Sequence, residues 1–113
     1  MRIRFYATLE QADRDVLQNA SVVVIDVLRA SSTIVAAVES GAEKIIPIGD
    51  IETASRLVRP SERDRKLLAG ERKCCPVQGF DLSNSPVEFT PERVKGKTIV
   101  LTTTNGTREL AAC

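Results

Sequence analysis

Three apolar segments of this chain each end in a cluster of polar residues, and this pattern constrains the fold more than any other feature of the sequence. The segments are Ser21–Asp26, Lys66–Glu71 and Lys97–Thr103. Their apolar residues follow one another with little polar alternation, which is typical of strands buried on both faces, as in a parallel sheet. Lys44–Ile48 predicts a further strand, and Ile3–Tyr6 predicts a short one near the start of the chain.

Helical stretches alternate with these strands. Thr33–Ser40 is predicted to be a helix, with Ser31 or Ser32 as its N-cap and Gly41 at the C′ position. A hydroxyl at an N-cap accepts a hydrogen bond from the first turn of a helix, which satisfies one of its unpaired donors.

Two further helices follow later strands. Asp50 is a suitable N-cap for a helix over Ile51–Val58, and Thr104 or Asn105 begins a helix that runs to the end of the chain. Strands that alternate with helices predict βαβ units. We therefore expect an α/β fold of three layers, with a mainly parallel sheet built of βαβ units, in a single domain over residues 1–113.

Composition excludes several classes of function. The 42% hydrophobic content is enough for a core, and the net charge of +1 gives no global attraction to nucleic acid or to an anionic membrane. No segment has the apolar length of a membrane span or of a signal peptide. We expect a cytoplasmic protein with no nucleic-acid partner and no membrane partner.

The counts of histidine and cysteine narrow the chemistry further. The chain has no histidine, which excludes Cys-His zinc sites and a Ser-His-Asp triad. Its three cysteines, Cys74, Cys75 and Cys113, do not form a disulfide framework, because adjacent cysteines are too close to bridge easily and one is left over.

The polar clusters that follow the three apolar segments are predicted to converge. Ligands in open α/β sheets bind outside the carboxyl ends of the strands. The clusters are Asp26 with Arg29–Thr33, then Gly70–Arg72, then Thr102–Arg108. If the strands are parallel neighbours, these clusters meet at one edge of the sheet.

The converged residues are suited to binding an anion and a divalent cation. Arg29, Arg72 and Arg108 can each donate paired hydrogen bonds to oxyanions, and the two helix starts offer backbone N–H groups. Asp26 and Glu71 are hard oxygen donors, and two carboxylates with phosphate oxygens and water are a typical Mg²⁺ environment.

Each feature also has a simpler explanation. Ser31, Ser32 and Thr33 can serve only as an N-cap, and Asp26 can simply pair with Arg29. Asn105-Gly106 is also a common turn sequence. The coincidence of polar clusters at successive strand ends favours a site over these separate explanations.

Four blocks of this chain resemble the 2-phosphosulfolactate phosphatase family. The blocks are VVIDVLRASST, LAGER, GFDLSNSPVEF and GKTIVLTTTNGTR. They occur in the family's order, and the resemblance extends from about Ser21 to the last residue. The resemblance implies a Mg²⁺-dependent phosphoric monoester hydrolase of coenzyme M biosynthesis, which converts 2-phosphosulfolactate to sulfolactate and phosphate.

The resemblance also implies roles for individual residues. Catalytic roles fall on Asp26, Arg29, Arg72, Asn105 and Arg108. Substrate and phosphate binding fall on Ser31, Ser32, Asn84, Ser85, Thr104 and Gly106. Ligands for Mg²⁺ are expected among Asp26, Glu71 and Asp81. The nucleophile is either a water molecule on the metal or the Asp26 carboxylate.

Family members are about twice this length on the scale of domain sizes, so we expect the chain to be the N-terminal half of a longer protein. The last strand, Lys97–Thr103, would then have an open edge or a bare apolar face, and we expect homo-oligomers. The alternative to a phosphatase is a non-catalytic anion-binding module, or a truncated fragment that self-associates.

Overall fold

A computed structural model describes residues 1–26 and 28–112, which together form one mixed sheet with helices packed against it. The strands are β1 (Lys44–Pro47), β2 (Lys66–Arg72), β3 (Cys75–Pro76) and β4 (Thr98–Thr102). The helices are α1 (Arg14–Gln18), α2 (Ala30–Glu39), α3 (Ile51–Leu57), α4 (Pro91–Val94) and α5 (Gly106–Ala112). Single 3₁₀ turns occur at Leu9–Gln11, Pro60–Glu62 and Pro86–Glu88.

The strand order is β1-β4-β2-β3, which makes β4 a central strand. β4 pairs in parallel with β1 on one side and with β2 on the other, and the short β3 pairs antiparallel with β2. The structure therefore confirms the α/β class and the mainly parallel sheet, while the three-layer arrangement of βαβ units stays a prediction. The expectation of an open edge or bare face at the last strand is wrong, because β4 has a partner on both sides and Ile99, Val100 and Leu101 are buried.

Apolar residues that follow one another in the strands pack on opposite faces of the sheet, because successive side chains in a strand alternate. Ala37 of α2 belongs to a cluster with Leu67 and Ile99. Ala54 of α3 belongs to a second cluster with Leu68. β2 and β4 therefore lack polar alternation because both of their faces are buried, as the sequence predicted.

The predicted helices form, and one of them begins earlier than expected. Asp50 caps α3 by accepting a hydrogen bond from the Thr53 N–H at 2.7 Å, as predicted. α2 begins at Ala30, not at Thr33, and its N-cap is Arg29, so the N-cap prediction for Ser31 or Ser32 is wrong. The reason is that the Asp26 carbonyl already accepts the Ser31 N–H at 3.1 Å, which places the serines inside the first turn.

Two predicted strands do not form. Ser21–Asp26 and Ile3–Tyr6 have no regular secondary structure, and Val23 and Ile25 are 82% and 74% exposed. Their β propensity is not realised because, among the residues that the structure describes, no strand pairs with either segment. Val27 and Cys113, and with Cys113 the predicted end of the last helix, lie outside the described residues.

No helix within residues 1–26 and 28–112 combines the length and the apolar composition that a bilayer span requires.

Gly70 of β2 pairs with Thr102 of β4 and leaves no room for a side chain. A Cβ atom at this position would lie 2.0 Å from the Thr102 carbonyl oxygen, and the φ angle of Gly70 is +152°. We expect Gly70→Ala to lower the free energy of unfolding by about 3 kcal/mol or more, because backbone and not a flexible side chain blocks the methyl group.

The matched control is Gly79→Ala. Gly79 also has a positive φ of +83°, but a Cβ atom there would meet nothing within 4 Å. This variant should lose only about 1–2 kcal/mol, the cost of the left-handed backbone. Urea denaturation of both variants measures the difference, and equal losses would contradict the close approach at Gly70.

Candidate active site

A pocket at the carboxyl ends of β2 and β4 brings together residues from all four of the motif blocks. Seven of the residues predicted from sequence line it, and these are Asp26, Arg29, Glu71, Asn84, Thr104, Asn105 and Gly106. The remaining lining residues are Leu28, Lys73, Cys74 and Thr103. The expected convergence at one edge of the sheet is therefore observed, while the roles assigned to single residues stay predictions.

The Asp26 carboxylate lies against the first residue of α5. A Cβ atom at Gly106 would lie 2.4 Å from Asp26 Oδ2 and 2.7 Å from the Ala30 Cβ, so only a glycine leaves room for the carboxylate. The alternative in which Asp26 simply pairs with Arg29 is not what the structure shows, since none of the ion pairs between described residues joins these two. Asp26 thus presents a half-buried carboxylate to the pocket.

Glu71 accepts hydrogen bonds from two loops that wall the pocket. Its Oε1 accepts the Thr104 N–H at 2.6 Å, and its Oε2 accepts the Cys74 N–H at 2.8 Å and the Thr104 hydroxyl at 3.0 Å. The residue is 6% exposed. Burial by itself raises the pKa of Glu71, but the backbone N–H groups of Thr104 and Cys74, the Thr104 hydroxyl and the Arg72 charge together lower the pKa below its ordinary value. Glu71 is therefore ionised, and its hydrogen bonds hold the two loops together.

The loop from β4 to α5 is fixed by a reciprocal pair of threonines. The Thr103 N–H donates to Thr107 Oγ1 at 2.8 Å, and the Thr107 N–H donates to Thr103 Oγ1 at 3.1 Å. Both residues are buried. This pairing satisfies backbone donors at the start of a helix, as a capping box does, and it sets the positions of Thr104 and Asn105 at the pocket.

The GFDLSNSP block reaches the pocket by running beside β2. Leu82 forms a parallel bridge with Ala69, and the Gly70 N–H donates to the Leu82 carbonyl at 3.1 Å. Two residues further on, Asn84 arrives at the carboxyl edge, where the Thr33 hydroxyl donates to its backbone carbonyl at 3.3 Å. The block therefore extends along the sheet.

The same path keeps Asp81 away from the pocket. Asp81 accepts the Leu68 N–H at 2.8 Å and pairs with Arg63 at 2.9 Å. Leu68 precedes Glu71 by three residues, or about 10 Å along a strand. Asp81 therefore stabilises the edge of the sheet, and the expected ligand set of Asp26, Glu71 and Asp81 is not assembled.

Asn84 carries an unsatisfied acceptor. It is 5% exposed, and its Oδ1 is the one buried side-chain polar atom of the described residues that has no hydrogen-bond partner. An unpaired buried acceptor is costly, so a group that brings a donor or a positive charge to Oδ1 would be favoured.

Arg72 and Arg108 lie beside the loop after β1 and do not line the pocket. Arg72 donates to the Thr102 hydroxyl at 2.7 Å and to the Gly49 carbonyl at 3.1 Å, so it crosses the central strand to hold the end of β1. The Arg108 side chain packs against Gly49, since a Cβ atom there would lie 3.6 Å from Arg108 Cγ. Both arginines are thus placed at the edge of the sheet, but next to the pocket and not in it.

Three predicted serines also stand outside the pocket lining. Ser31 and Ser32 occupy the first turn of α2, and Ser85 precedes the 3₁₀ turn at Pro86–Glu88. Lys73 and Cys74 line the pocket although sequence reasoning missed them. The sequence signal for them is weak, because their place depends on a tight turn that Lys-Cys does not suggest.

Comparison with known proteins identifies the family of this chain. The sequence profile of the 2-phosphosulpholactate phosphatase family matches residues 6–113. The chain belongs to this family. Its motif blocks are the segments that build the pocket.

Three relatives carry the name probable 2-phosphosulfolactate phosphatase. The protein from Caldanaerobacter subterraneus subsp. tengcongensis is 56% identical over 98 residues, which are 87% of this chain and 40% of that protein. The protein from Clostridium botulinum (strain Eklund 17B / Type B) is 41% identical over 113 residues, 100% of this chain and 48% of that protein. The protein from Caldicellulosiruptor saccharolyticus is 46% identical over an alignment of 115 positions, which covers 100% of this chain and 47% of that protein. The chain thus spans a little less than half the length of these members of the phosphatase family.

Replacing Glu71 by glutamine should weaken this family member's fold in a pH-dependent way. Gln offers one acceptor oxygen where the carboxylate satisfies three donors, so we expect a loss of about 2–3 kcal/mol in the free energy of unfolding at pH 7. Because the folded state lowers the pKa of Glu71, its contribution is complete above the ordinary value of 4.5 and is lost as the pH falls through the lowered pKa. The difference between the two proteins should therefore shrink below pH 4.5.

Chemical denaturation at a series of pH values measures this difference. Glu43→Gln, at an exposed position, is the control and should stay within about 0.5 kcal/mol of the unsubstituted chain. A Glu71→Gln protein as stable as this control at pH 7 would show that Glu71 does not hold the two loops together.

Proposed function

We propose that this chain carries the phosphate-hydrolysing pocket of a 2-phosphosulfolactate phosphatase that requires Mg²⁺. The reaction is hydrolysis of the phosphate ester of a 2-hydroxy acid, which gives sulfolactate and phosphate. The observation that carries the proposal is the convergence of Asp26, Arg29, Asn84 and Asn105 in one pocket. These residues come from three motif blocks that are distant in sequence.

The charges of the pocket support a requirement for a metal ion. The lining holds two acids, Asp26 and Glu71, and two bases, Arg29 and Lys73, so it has no excess positive charge. A 2-phosphosulfolactate molecule has about four negative charges, nearly two of them on the phosphate. A divalent cation would supply the missing charge and stabilise the charge that develops during phosphoryl transfer.

Two oxygen atoms of the pocket fit such a cation. The Asp26 carboxylate lines the pocket, and Asn84 Oδ1 is an orphaned buried acceptor. Carboxylate and amide oxygens are suitable ligands for Mg²⁺, which normally keeps several waters and contacts only one or two carboxylates. Glu71 is not proposed as a ligand, because its oxygens already accept three hydrogen bonds. No cluster of three acidic or cysteine ligands occurs within residues 1–26 and 28–112, so water and substrate oxygens would complete the coordination.

The substrate phosphate would be bound by Arg29 and Asn105. Arg29 is exposed at the start of α2 and can donate two parallel hydrogen bonds to phosphate oxygens. The side chain of Asn105 is exposed at the neighbouring loop and brings an amide donor. Thr104 has a positioning role instead, since its N–H and its hydroxyl both donate to Glu71.

The Asp26 and Asp81 carboxylates should give different results when each is replaced by asparagine. Asp26→Asn should raise the Mg²⁺ concentration needed for half-maximal phosphate release at least tenfold, because a charged ligand becomes neutral. Asp81→Asn should leave that concentration unchanged and lower the free energy of unfolding by about 1–3 kcal/mol, because Arg63 and the Leu68 N–H lose a charged acceptor.

Phosphate release from 2-phosphosulfolactate is measured at several Mg²⁺ concentrations, on the chain joined to the part of the Caldanaerobacter relative that it does not match. The free energy of unfolding is measured by urea denaturation. The assignment would be contradicted if Asp81→Asn raised the Mg²⁺ concentration needed for half-maximal phosphate release. It would also be contradicted if Asp26→Asn left that concentration unchanged. Phosphate release that does not respond to Mg²⁺ at all would contradict the proposed cofactor.

Self-association of the isolated chain is the second expectation. The chain matches less than half of its relatives' length, and Val23, Ile25 and Leu28 are 82%, 74% and 89% exposed beside the pocket-lining Asp26. We expect sedimentation velocity to show concentration-dependent dimers or larger species. Joining the chain to the part of the Caldanaerobacter relative that it does not match should suppress this association and support Mg²⁺-dependent turnover. A monomeric 113-residue chain with full turnover would contradict the expectation and the fragment alternative together.

The coenzyme M pathway, which the family resemblance implies, and a cytoplasmic location, which was expected from the sequence composition, both stay predictions.

A further inference from the structure

Two consecutive residues at the pocket adopt a backbone conformation that their side chains disfavour. Lys73 and Cys74 form the two-residue turn between β2 and β3, whose flanking residues Arg72 and Cys75 are paired. Their φ angles are +50° and +65°. Positive φ at both positions is the hairpin turn that favours Asn and Gly, and a residue with a Cβ atom is strained there.

The surrounding structure holds this turn in place. The Cys74 N–H donates to Glu71 Oε2 at 2.8 Å, and the Lys73 N–H donates to Thr104 Oγ1 at 3.2 Å. Glu71 is in turn bonded to the backbone of Thr104, so the turn and the loop after β4 are fastened to each other. The backbone of Lys73 is therefore fixed relative to Asn105, the next residue of that loop.

This placement gives the pocket a basic residue that the motif blocks did not indicate. Of the arginines expected there, Arg29 lines the pocket, whereas Arg72 and Arg108 lie beside Gly49. Lys73 is exposed and lines the pocket, and its ammonium group is in none of the ion pairs that join described residues. A lysine on a turn is often only a solubilising residue, but this one occupies a strained position next to the candidate phosphate-binding residues.

We propose that Lys73 is a specificity-determining residue, whose ammonium group binds an acid group of the substrate other than the phosphate. This inference rests on the proposed function, because it assumes a ligand with more than one anionic group. Arg29 and Asn105 bind the phosphate in this arrangement. A lysine suits the second group because its ammonium is a mobile point charge that needs no paired geometry, and a carboxylate or sulfonate offers several equivalent oxygens.

The test compares two probes and three variants. The probes are inorganic phosphate and 2-phosphosulfolactate, titrated by isothermal calorimetry without Mg²⁺, so that the proposed Mg²⁺-dependent hydrolysis does not consume the second probe. Lys73→Asn removes the charge with a residue that tolerates positive φ, so the fold should be kept, and thermal unfolding checks this. Lys73→Arg keeps the charge. Lys44→Asn removes an exposed lysine at the start of β1, the opposite end of the sheet from the pocket.

We expect Lys73→Asn to bind 2-phosphosulfolactate about tenfold more weakly and inorganic phosphate within about twofold of the unsubstituted chain. Lys73→Arg should restore most of the lost affinity, and Lys44→Asn should change neither probe. Lys73→Asn with unchanged affinity for both probes would overturn the inference. Equal weakening for both probes would also overturn it. Lys73 would then bind the phosphate itself, or attract any anion through its positive charge.

The outcome is separable from that of the proposed function. Phosphate release from 2-phosphosulfolactate is measured in parallel, with Mg²⁺ present, on the unsubstituted chain joined to the part of the Caldanaerobacter relative that it does not match. A protein that binds 2-phosphosulfolactate with the expected Lys73 dependence but releases no phosphate contradicts the hydrolase and leaves the inference standing. A protein that hydrolyses it with no Lys73 dependence contradicts the inference alone.

Discussion

The hydrogen bonds to the buried Glu71 carboxylate are the interaction on which the pocket depends. One side chain at the end of β2 accepts donors from the β2–β3 turn and from the loop between β4 and α5. Hydrogen bonds to a charged acceptor are worth about 1.5–3 kcal/mol, and a buried carboxylate without them would be strongly destabilising. The two loops that carry Lys73 and Asn105 are therefore held in a fixed relation by the same group.

The neighbours of Glu71 in the chain complete this arrangement. Gly70 lets β2 approach the Thr102 carbonyl, and Arg72 reaches over β4 to the Gly49 carbonyl after β1. Three consecutive residues thus tie together the carboxyl ends of the three parallel strands. The LAGER block therefore has mainly a structural role, since it holds the loop that leads to Gly106, against whose backbone the Asp26 carboxylate fits.

Much of the fold could be predicted from sequence because its core strands have strong local signals. The apolar runs of β1, β2 and β4 and the Asp50 cap of α3 were visible in the sequence, and so was the edge at which the polar clusters meet. The strand at Ser21–Asp26 was not realised, because β propensity forms a strand only where a partner strand is available. α2 begins earlier than its serines suggested because the Asp26 carbonyl binds the Ser31 N–H, a contact that propensity does not encode.

The candidate site was predictable in part for related reasons. Position at a strand end correctly placed Glu71 and Asn105 at the pocket, and Asp26 lines the pocket although the strand predicted before it does not form. Position did not show which of these side chains would be engaged in structural hydrogen bonds. Asp81 stands too far down the sheet because its block runs parallel to β2, and that register cannot be read from one sequence. Lys73 was missed because its turn requires positive φ at residues that seldom adopt it.

Paramagnetic relaxation by Mn²⁺ tests the proposed cation site most directly, since Mn²⁺ accepts the same oxygen ligands as Mg²⁺. In the isotope-labelled 113-residue chain, a low Mn²⁺ concentration should broaden the backbone amides of Asn84 and Gly106 first. Excess Mg²⁺ should reverse the broadening, and Asp26→Asn should abolish it. Broadening that is centred on Asp81 and Arg63, or spread evenly over the surface carboxylates, would contradict a cation site built on Asp26 and Asn84.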